Sequence, residues 1–449
     1  MPATIDETHD PKLESWIESA NDPSTDFPLQ NLPLATRVAE HDGEVWQSIV
    51  TRVGDSFVNL NHISAIAEDL GLDQARWTLF DLEDLMTSGN WPAIRKDLQR
   101  LLAKGNDTLR NHAEVDEIVI PVDDEELLVP LPIGDYTDFY ASVHHATNVG
   151  TMFRPDNPLL PNYKWIPVGY HGRASSVVPS GVAIRRPKGQ LAPSEDGGAP
   201  SYEPCKLLDY ELEMGFFVGR ENELGEPISI DKAEDHIFGM CLLNDWSARD
   251  IQKWEYQPLG PFLAKNFAST ISPYIVTMEA LAPFRCEAEK RPEGDPQPLK
   301  HLDSKANRES GGVDVMLEVF LSSAKMREQG MEPMRISRGS FKNMYWTIAQ
   351  MLTHHSSSGC NMQPGDLLGS GTVSGPAREA RGCLLELTWD GDKDNPVPGT
   401  QRTPLKLPTG EERKFLADGD EVILRGYCER EGYRRIGFGE CRGIIEPAK

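Results

Sequence analysis

Beyond Pro130 the chain is written mostly in short runs rich in Val, Ile, Phe and Tyr, each cut off by glycine or proline, and this texture limits what it can fold into. LLDYELEMGFFVG, SPYIVTM, VDVMLEVFLS, CLLELTW and DEVILRGYCE are examples. β-Branched and aromatic residues suit a pleated, half-buried surface, so a mainly β domain with some α is expected here. One helix should interrupt it, over about Phe341–His354, where Met344, Ile348, Met351 and Leu352 recur at helical spacing. The first hundred residues mix extended and helical runs. The clearest helix there runs from Asn90 to Gly105, with Asn90 as cap, Pro92 in the first turn, and Ile94, Leu98, Leu101 and Leu102 on one face. An acidic stretch punctuated by Pro121, Pro130 and Pro132 then marks a boundary near Pro130, which gives two domains, 1–130 and 131–449. The polar, Pro- and Gly-rich segment Cys286–Gly312 reads as a surface loop.

A net charge of -25 argues against nucleic acid or an anionic membrane as partner and leaves a cation as the easier one. There is no 18-residue apolar run, and the opening MPATIDETHDPK lacks the basic and apolar parts of a signal peptide, so a cytosolic enzyme is expected. The seven cysteines form no C-x-x-C pair, and an odd number cannot be fully bridged within one chain. Reduced, mostly buried thiols follow.

Three constellations could carry chemistry. Glu211 and Glu213 stand two apart in an otherwise apolar run, and on a strand such residues point to one face. Adjacent like charges repel, so the pair is either a solvated outer face or half of a cation site. Further oxygen donors are offered by Asp135 and Asp138, and by Asp245 and Asp250. Carboxylates without a Cys/His cage favour Ca²⁺ or Mg²⁺ over Zn²⁺. The second constellation, Asp138 to Asn148, holds His144 and His145; either is a general base or a structural histidine. Glu386, flanked by Leu385 and Leu387 on an apparent strand, could fix an imidazole tautomer. In the third, Arg249, Gln252, Lys253, Tyr256 and Lys265 stand near Asp245 as donors to a developing oxyanion, or form an amphipathic surface helix. HGRASS and GSGTVSGP are loops that bring backbone to a site or merely turn. Gly437, Gly439 and Gly443 miss the dinucleotide-binding spacing, so NAD is discarded.

Taken together, GDYTDFY, HATNVGTMFRP, IPVGYHGRASS, LDYELEM, NDWSARDIQKWEYQPLGPFLAKNF, THHSSSGCNMQPGDLLGSGTVSGP and GYRRIGFGECRG closely resemble the fumarylacetoacetate hydrolase family. DFPLQNLP, at Asp26–Pro33, extends the likeness into the first domain, while 281–312 is weakly matched. The resemblance implies a small SH3-like N-terminal β domain before a mixed β-sandwich roll catalytic domain. It also implies hydrolysis of 4-fumarylacetoacetate to fumarate and acetoacetate, the last step of phenylalanine and tyrosine catabolism, by a homodimer. Carried over by position, it assigns Asp138, Glu211, Glu213 and Asp245 to a catalytic Ca²⁺, and Asp245, Lys265 and Ser269 to a structural Mg²⁺. His145 becomes the base and Glu386 the acid that orients it. Arg249, Gln252 and Lys265 become the oxyanion donors, and Tyr140, Arg154, Gln252, Tyr256 and Thr372 the substrate contacts. Ser269 stands where the family usually has Thr, and His144 where Gln is more familiar. Two rivals remain: a superfamily member that hydrolyses acylpyruvates or decarboxylates or isomerises keto acids, generally without the first domain, and a non-catalytic Ca²⁺-stabilised protein.

Overall fold

The computed structural model describes residues 3–41, 44–122, 127–195, 197–392, 397 and 401–449. A four-stranded antiparallel sheet occupies the N-terminal part, with strands Leu34–His41, Glu44–Val53, Ser56–Asn59 and Val119–Pro121 in that order. The helix Trp91–Leu102 packs beside it, burying Ile94, Leu98, Leu101 and Leu102 as its spacing predicts. It stops short of Gly105 because Ala103 turns extended, and the Asn90 side chain makes no capping bond.

Two larger sheets make up the rest. The first runs Gly169–Gly172, Tyr136–Phe139, Leu367–Gly369, Leu212–Val218, Ile237–Asp245, Ser269–Ile271 and Val177–Pro179, with Val276–Thr277 also paired to Ile237–Asp245. The second runs Met334–Ser340, Met316–Ser322, Glu421–Cys428, Ile436–Glu446 and Ile184–Arg185. One hydrophobic cluster, including Met214, Phe216, Leu242, Trp246, Leu317, Val319, Leu424 and Phe438, joins the two larger sheets. Phe217, Cys241, Leu243 and Ile275 belong instead to the cluster that holds the N-terminal residues, so the first large sheet is covered on both faces. That double covering explains why Leu212–Val218 is buried at every position rather than alternating.

Three expectations need correction. Residues 341–354 form a 3₁₀ turn, Phe341–Asn343, and a separate helix, Ile348–Ser356. Thr347 and Gln350 make a reciprocal capping box there, and this fixes the later start. The segment 286–312 is a loop pinned at its neck by pairing of Arg285–Cys286 with Gly312–Val313, but it carries a 3₁₀ turn, Lys300–Leu302, and a short helix, Lys305–Ser310. Glu386 lies on a one-turn helix, Leu384–Leu387, not on a strand. The Asp209 carboxylate accepts the Leu384 and Leu385 N–H groups at 2.8 and 3.0 Å, satisfying donors that a strand would have given to a neighbour. All seven cysteines are free, as expected, and five of them are buried. Among the described residues, no helix is long and apolar enough to cross a membrane.

Candidate active site

Sheet register assembles the carboxylates. Leu367–Gly369 lies between Tyr136–Phe139 and Leu212–Val218, with Gly369 opposite Asp138 on one side and Gly215 on the other. A Cβ at Gly369 would sit 2.6 Å from Asp138 Oδ1 and 3.1 Å from Glu213 Oε2, so the missing side chain is the space the two carboxylates occupy. Gly371, at φ 76°, then turns its N–H onto both, at 3.1 Å from Asp138 Oδ1 and 3.0 Å from Glu213 Oε2. A left-handed backbone favours glycine there. Asp245 ends the next strand, and one oxygen from each of Asp138, Glu213 and Asp245 lies within 4.8 Å of the others.

Glu211 and Glu213 are 5% and 0% exposed, which excludes a solvated outer face. Glu211 adjoins the trio through Lys265, whose ammonium donates to Glu211, to Asp245 Oδ2 at 2.6 Å and to Ser247 Oγ at 2.7 Å. Arg249 Nη1 donates to Glu211 Oε1 at 2.8 Å and to Gln252 Oε1 at 3.4 Å. Ser269 Oγ donates to Asp245 Oδ1 at 3.3 Å, and Tyr170 O–H donates to Asp245 Oδ2 at 2.9 Å. Of the earlier acidic candidates, Asp135 and Asp250 stay outside: Asp135 N–H donates to Asp366, and Asp250 accepts from Cys205 and the Lys206 N–H.

The electrostatics ask for a cation. Burial, reinforced by the Asp245 charge, pushes the Asp138 carboxyl well above its ordinary range, and burial with the Asp138 charge does the same to Glu213. Burial also raises Asp245, against the pull of Lys265. For Glu211, burial is outweighed by Lys265 and Arg249, and its carboxyl falls below the ordinary range. Glu213 Oε1 is buried without a hydrogen-bond partner. An all-oxygen cluster with an orphaned carboxylate oxygen fits a hard divalent ion such as Ca²⁺ or Mg²⁺.

His145 faces the cluster from the helix Val143–Phe153. Ser142 caps that helix, accepting the His145 N–H, and its own hydroxyl donates to Ser374 O at 2.9 Å. The helix start is thereby tied to the loop that also carries Gly371. His145 is 3% exposed; Nδ1 lies 2.5 Å from Glu386 Oε2, and Nε2 lies 3.9 Å from Glu211 Oε1. Burial raises the Glu386 carboxyl, but the His145 charge and hydrogen bonds from His145, Asn148 and Ser374 prevail and lower it to about 2. The Tyr140 ring stands edge-on to the imidazole, with centroids 5.2 Å apart. Thr372 is buried on the 369–376 loop, whereas Tyr256 is 41% exposed after the helix Arg249–Glu255, and Arg154 is exposed at the end of the His145 helix.

Sequence reasoning missed Asn148, Ser374, Tyr170 and Asp209 as partners of these groups. Asp209 had a visible signal, because it continues the two-residue alternation of Glu211 and Glu213. Asn148 and Tyr170 meet their partners only across the fold, whereas Ser374 lies 12 residues before Glu386, in the GSGTVSGP loop.

Residues 135–445 match the family model for the C-terminal domain of fumarylacetoacetate (FAA) hydrolase, a span that includes every carboxylate above together with His145 and Glu386, and the chain belongs to that family. Within it, the chain is 48% identical over 447 residues to the fumarylacetoacetase of Dictyostelium discoideum, covering 97% of this chain and 98% of the relative. It is also 48% identical over 440 residues to the fumarylacetoacetase of Homo sapiens, covering 97% and 99%. A solved structure of a fumarylacetoacetate hydrolase from psychrophilic Exiguobacterium antarcticum aligns over 93% of this chain and 100% of that one, at 18% identity and a TM-score of 0.47.

Proposed function

We propose that this protein is a divalent-metal-dependent hydrolase that cleaves the carbon-carbon bond of 4-fumarylacetoacetate to give fumarate and acetoacetate, closing phenylalanine and tyrosine catabolism. The observation that carries the proposal is the buried His145–Glu386 pair, in which His145 Nε2 lies 3.9 Å from Glu211 Oε1, beside the carboxylate cluster. Relatives that align over 97% of the chain include the first 130 residues, which favours fumarylacetoacetase over the shorter superfamily enzymes. The domain division at Pro130, with an SH3-like first domain, belongs to the same proposal.

Asp138, Glu211, Glu213 and Asp245 would hold the catalytic ion, which we take to be Ca²⁺. When bound, a cation there supplies Lewis acidity and a chelation point for the two oxygens of a diketone. We assign a structural Mg²⁺ to Asp245, Ser269 and Lys265. Asp245 and Glu211 hold Lys265 Nζ as an ammonium with no free lone pair, so Lys265 would serve that ion through its main-chain oxygen.

His145 takes a proton from water at Nε2 as the water attacks the carbonyl, while Glu386 fixes Nδ1 as the protonated nitrogen and stabilises the imidazolium that forms. Arg249 and Gln252 donate to the developing alkoxide, and Lys265 joins them by turning one N–H away from Ser247. Tyr140, Arg154, Tyr256 and Thr372 hold the substrate, with Arg154 offering a fork to a terminal carboxylate. The imidazolium then returns the proton to the leaving carbon, so the base is regenerated within the cycle. A metal cage kept only for stability would have no use for the His145–Glu386 pair. His145→Ala should reduce turnover by about three orders of magnitude or more while Ca²⁺ binding persists. Near-native turnover by the folded variant refutes the assignment. A cytosolic homodimer completes the proposal; light scattering and cell fractionation test it.

A further inference from the structure

We propose that Asp209 is a positioning residue that couples Arg249 to the His145–Glu386 pair, so that one buried carboxylate sets how the two halves of the site stand relative to each other. The proposal rests on the function proposed above. Asp209 is 0% exposed, and its two oxygens face donors from three directions. Oδ2 accepts from Arg249 Nε at 3.0 Å and from the Leu385 N–H at 3.0 Å, and it lies 2.9 Å from Arg249 Nη2. Oδ1 accepts from the Leu384 N–H at 2.8 Å and from the Tyr210 N–H at 3.0 Å.

Glu386 is the next residue after Leu385, on a helix of 4 residues whose preceding residue, Cys383, makes no side-chain cap. An element that short has little stability of its own and takes its position from what holds its first amides. Asp209 holds them from 175 residues away in sequence. The same carboxylate occupies the Nε edge of Arg249, which leaves Nη1 to reach Glu211 Oε1 at 2.8 Å. A guanidinium is a rigid fork, so fixing one edge orients the other. Glu211 in turn stands 3.9 Å from His145 Nε2, and His145 Nδ1 meets Glu386 at 2.5 Å. The contacts therefore close a ring: Asp209, Arg249, Glu211, His145, Glu386, and back through the main chain at Leu385 to Asp209. Within the ring the oxyanion donor and the base cannot shift independently.

Asp209→Asn tests the coupling. Its amide can present oxygen to one group of donors only, and the NH₂ then opposes either Arg249 and Leu385 or Leu384 and Tyr210. We expect kcat to fall by about tenfold to a hundredfold, because a displacement of about 1 Å in a reacting group can cost that much. KM and Ca²⁺ affinity should stay within about threefold, and the Leu384 and Leu385 amides should exchange faster with solvent deuterium. The double variant Asp209→Asn with Arg249→Gln should lose less than the product of the two single losses, whereas residues that act independently would give multiplying losses.

Unchanged kcat in Asp209→Asn, or multiplying losses in the double variant, overturns the coupling. If Asp209→Asn does not fold, Asp209→Ala with added formate replaces it: recovery of kcat with formate supports the proposal, and failure to recover or to fold overturns it. Wild-type protein assayed alongside separates the two readings, since absence of turnover there removes the proposed function and the coupling with it. Wild-type turnover with an unaffected Asp209→Asn removes the coupling alone.

Discussion

Glu386→Gln isolates the charge of the acid that holds the proposed base, His145. Glu386 Oε2 meets His145 Nδ1 at 2.5 Å and accepts from Ser374 Oγ at 2.8 Å, while Oε1 accepts from Asn148 Nδ2 at 2.8 Å. A glutamine can keep its oxygen toward His145 and Ser374 and turn its NH₂ toward Asn148, whose amide can flip to accept it. The shape and the tautomer survive, and the negative charge does not. Once His145 has taken a proton, the lost interaction is that of two unit charges about 4 Å apart, worth about 4 kcal/mol at an effective dielectric of about 20. The neutral hydrogen bond that remains restores about 1 kcal/mol. The net loss of about 3 kcal/mol corresponds to a kcat lower by about two orders of magnitude. KM should be nearly unchanged, because the charge matters only after proton transfer. Loss of the diketone absorbance at saturating substrate gives kcat directly, and circular dichroism checks that the variant is folded. A folded Glu386→Gln within about threefold of wild-type kcat would show that no imidazolium forms at His145 in the rate-limiting step.

Two further outcomes follow from the carboxylate cluster. In the metal-free protein the Asp138 and Glu213 carboxyls titrate above their ordinary range, so these groups favour the fold most at low pH and their contribution is lost as pH rises through the raised values. A divalent cation held by the two carboxylates, as proposed, would need both ionised. Its affinity should therefore rise with pH and its binding should release protons, as read by calorimetry in buffers of different ionisation enthalpy; pH-independent binding without proton release would contradict this. Gly369→Ala places a methyl group 2.6 Å from Asp138 Oδ1 and should weaken Ca²⁺ binding by about tenfold or more, with wild-type affinity as the refuting result.

Much of the site was legible in the sequence because its chemistry is local. Glu211 and Glu213 announce themselves by standing just before and within an apolar strand, and the GSGT loop by its glycines, whose conformational freedom the turn at Gly371 uses. His145 and His144 could not be separated by composition or spacing. They differ in which face of the helix Val143–Phe153 they occupy, and only the contact with Glu386 singles out His145.

What the sequence determined by itself was the mainly β texture beyond Pro130, the face of the helix Trp91–Leu102, and the acidic pair, all of which follow from side-chain periodicity along one element. The tertiary structure decided the rest. It placed Gly369 between Asp138 and Glu213, it set Lys265 and Arg249 against Glu211, and it folded CLLELTW into a helical turn against its strand-like pattern by supplying Asp209 to the first two amides. The reason is physical: a buried charge or an unpaired amide is stabilised only by its partner, and these partners stand in other elements, 38 and 54 residues from Glu211 and 175 from Leu384.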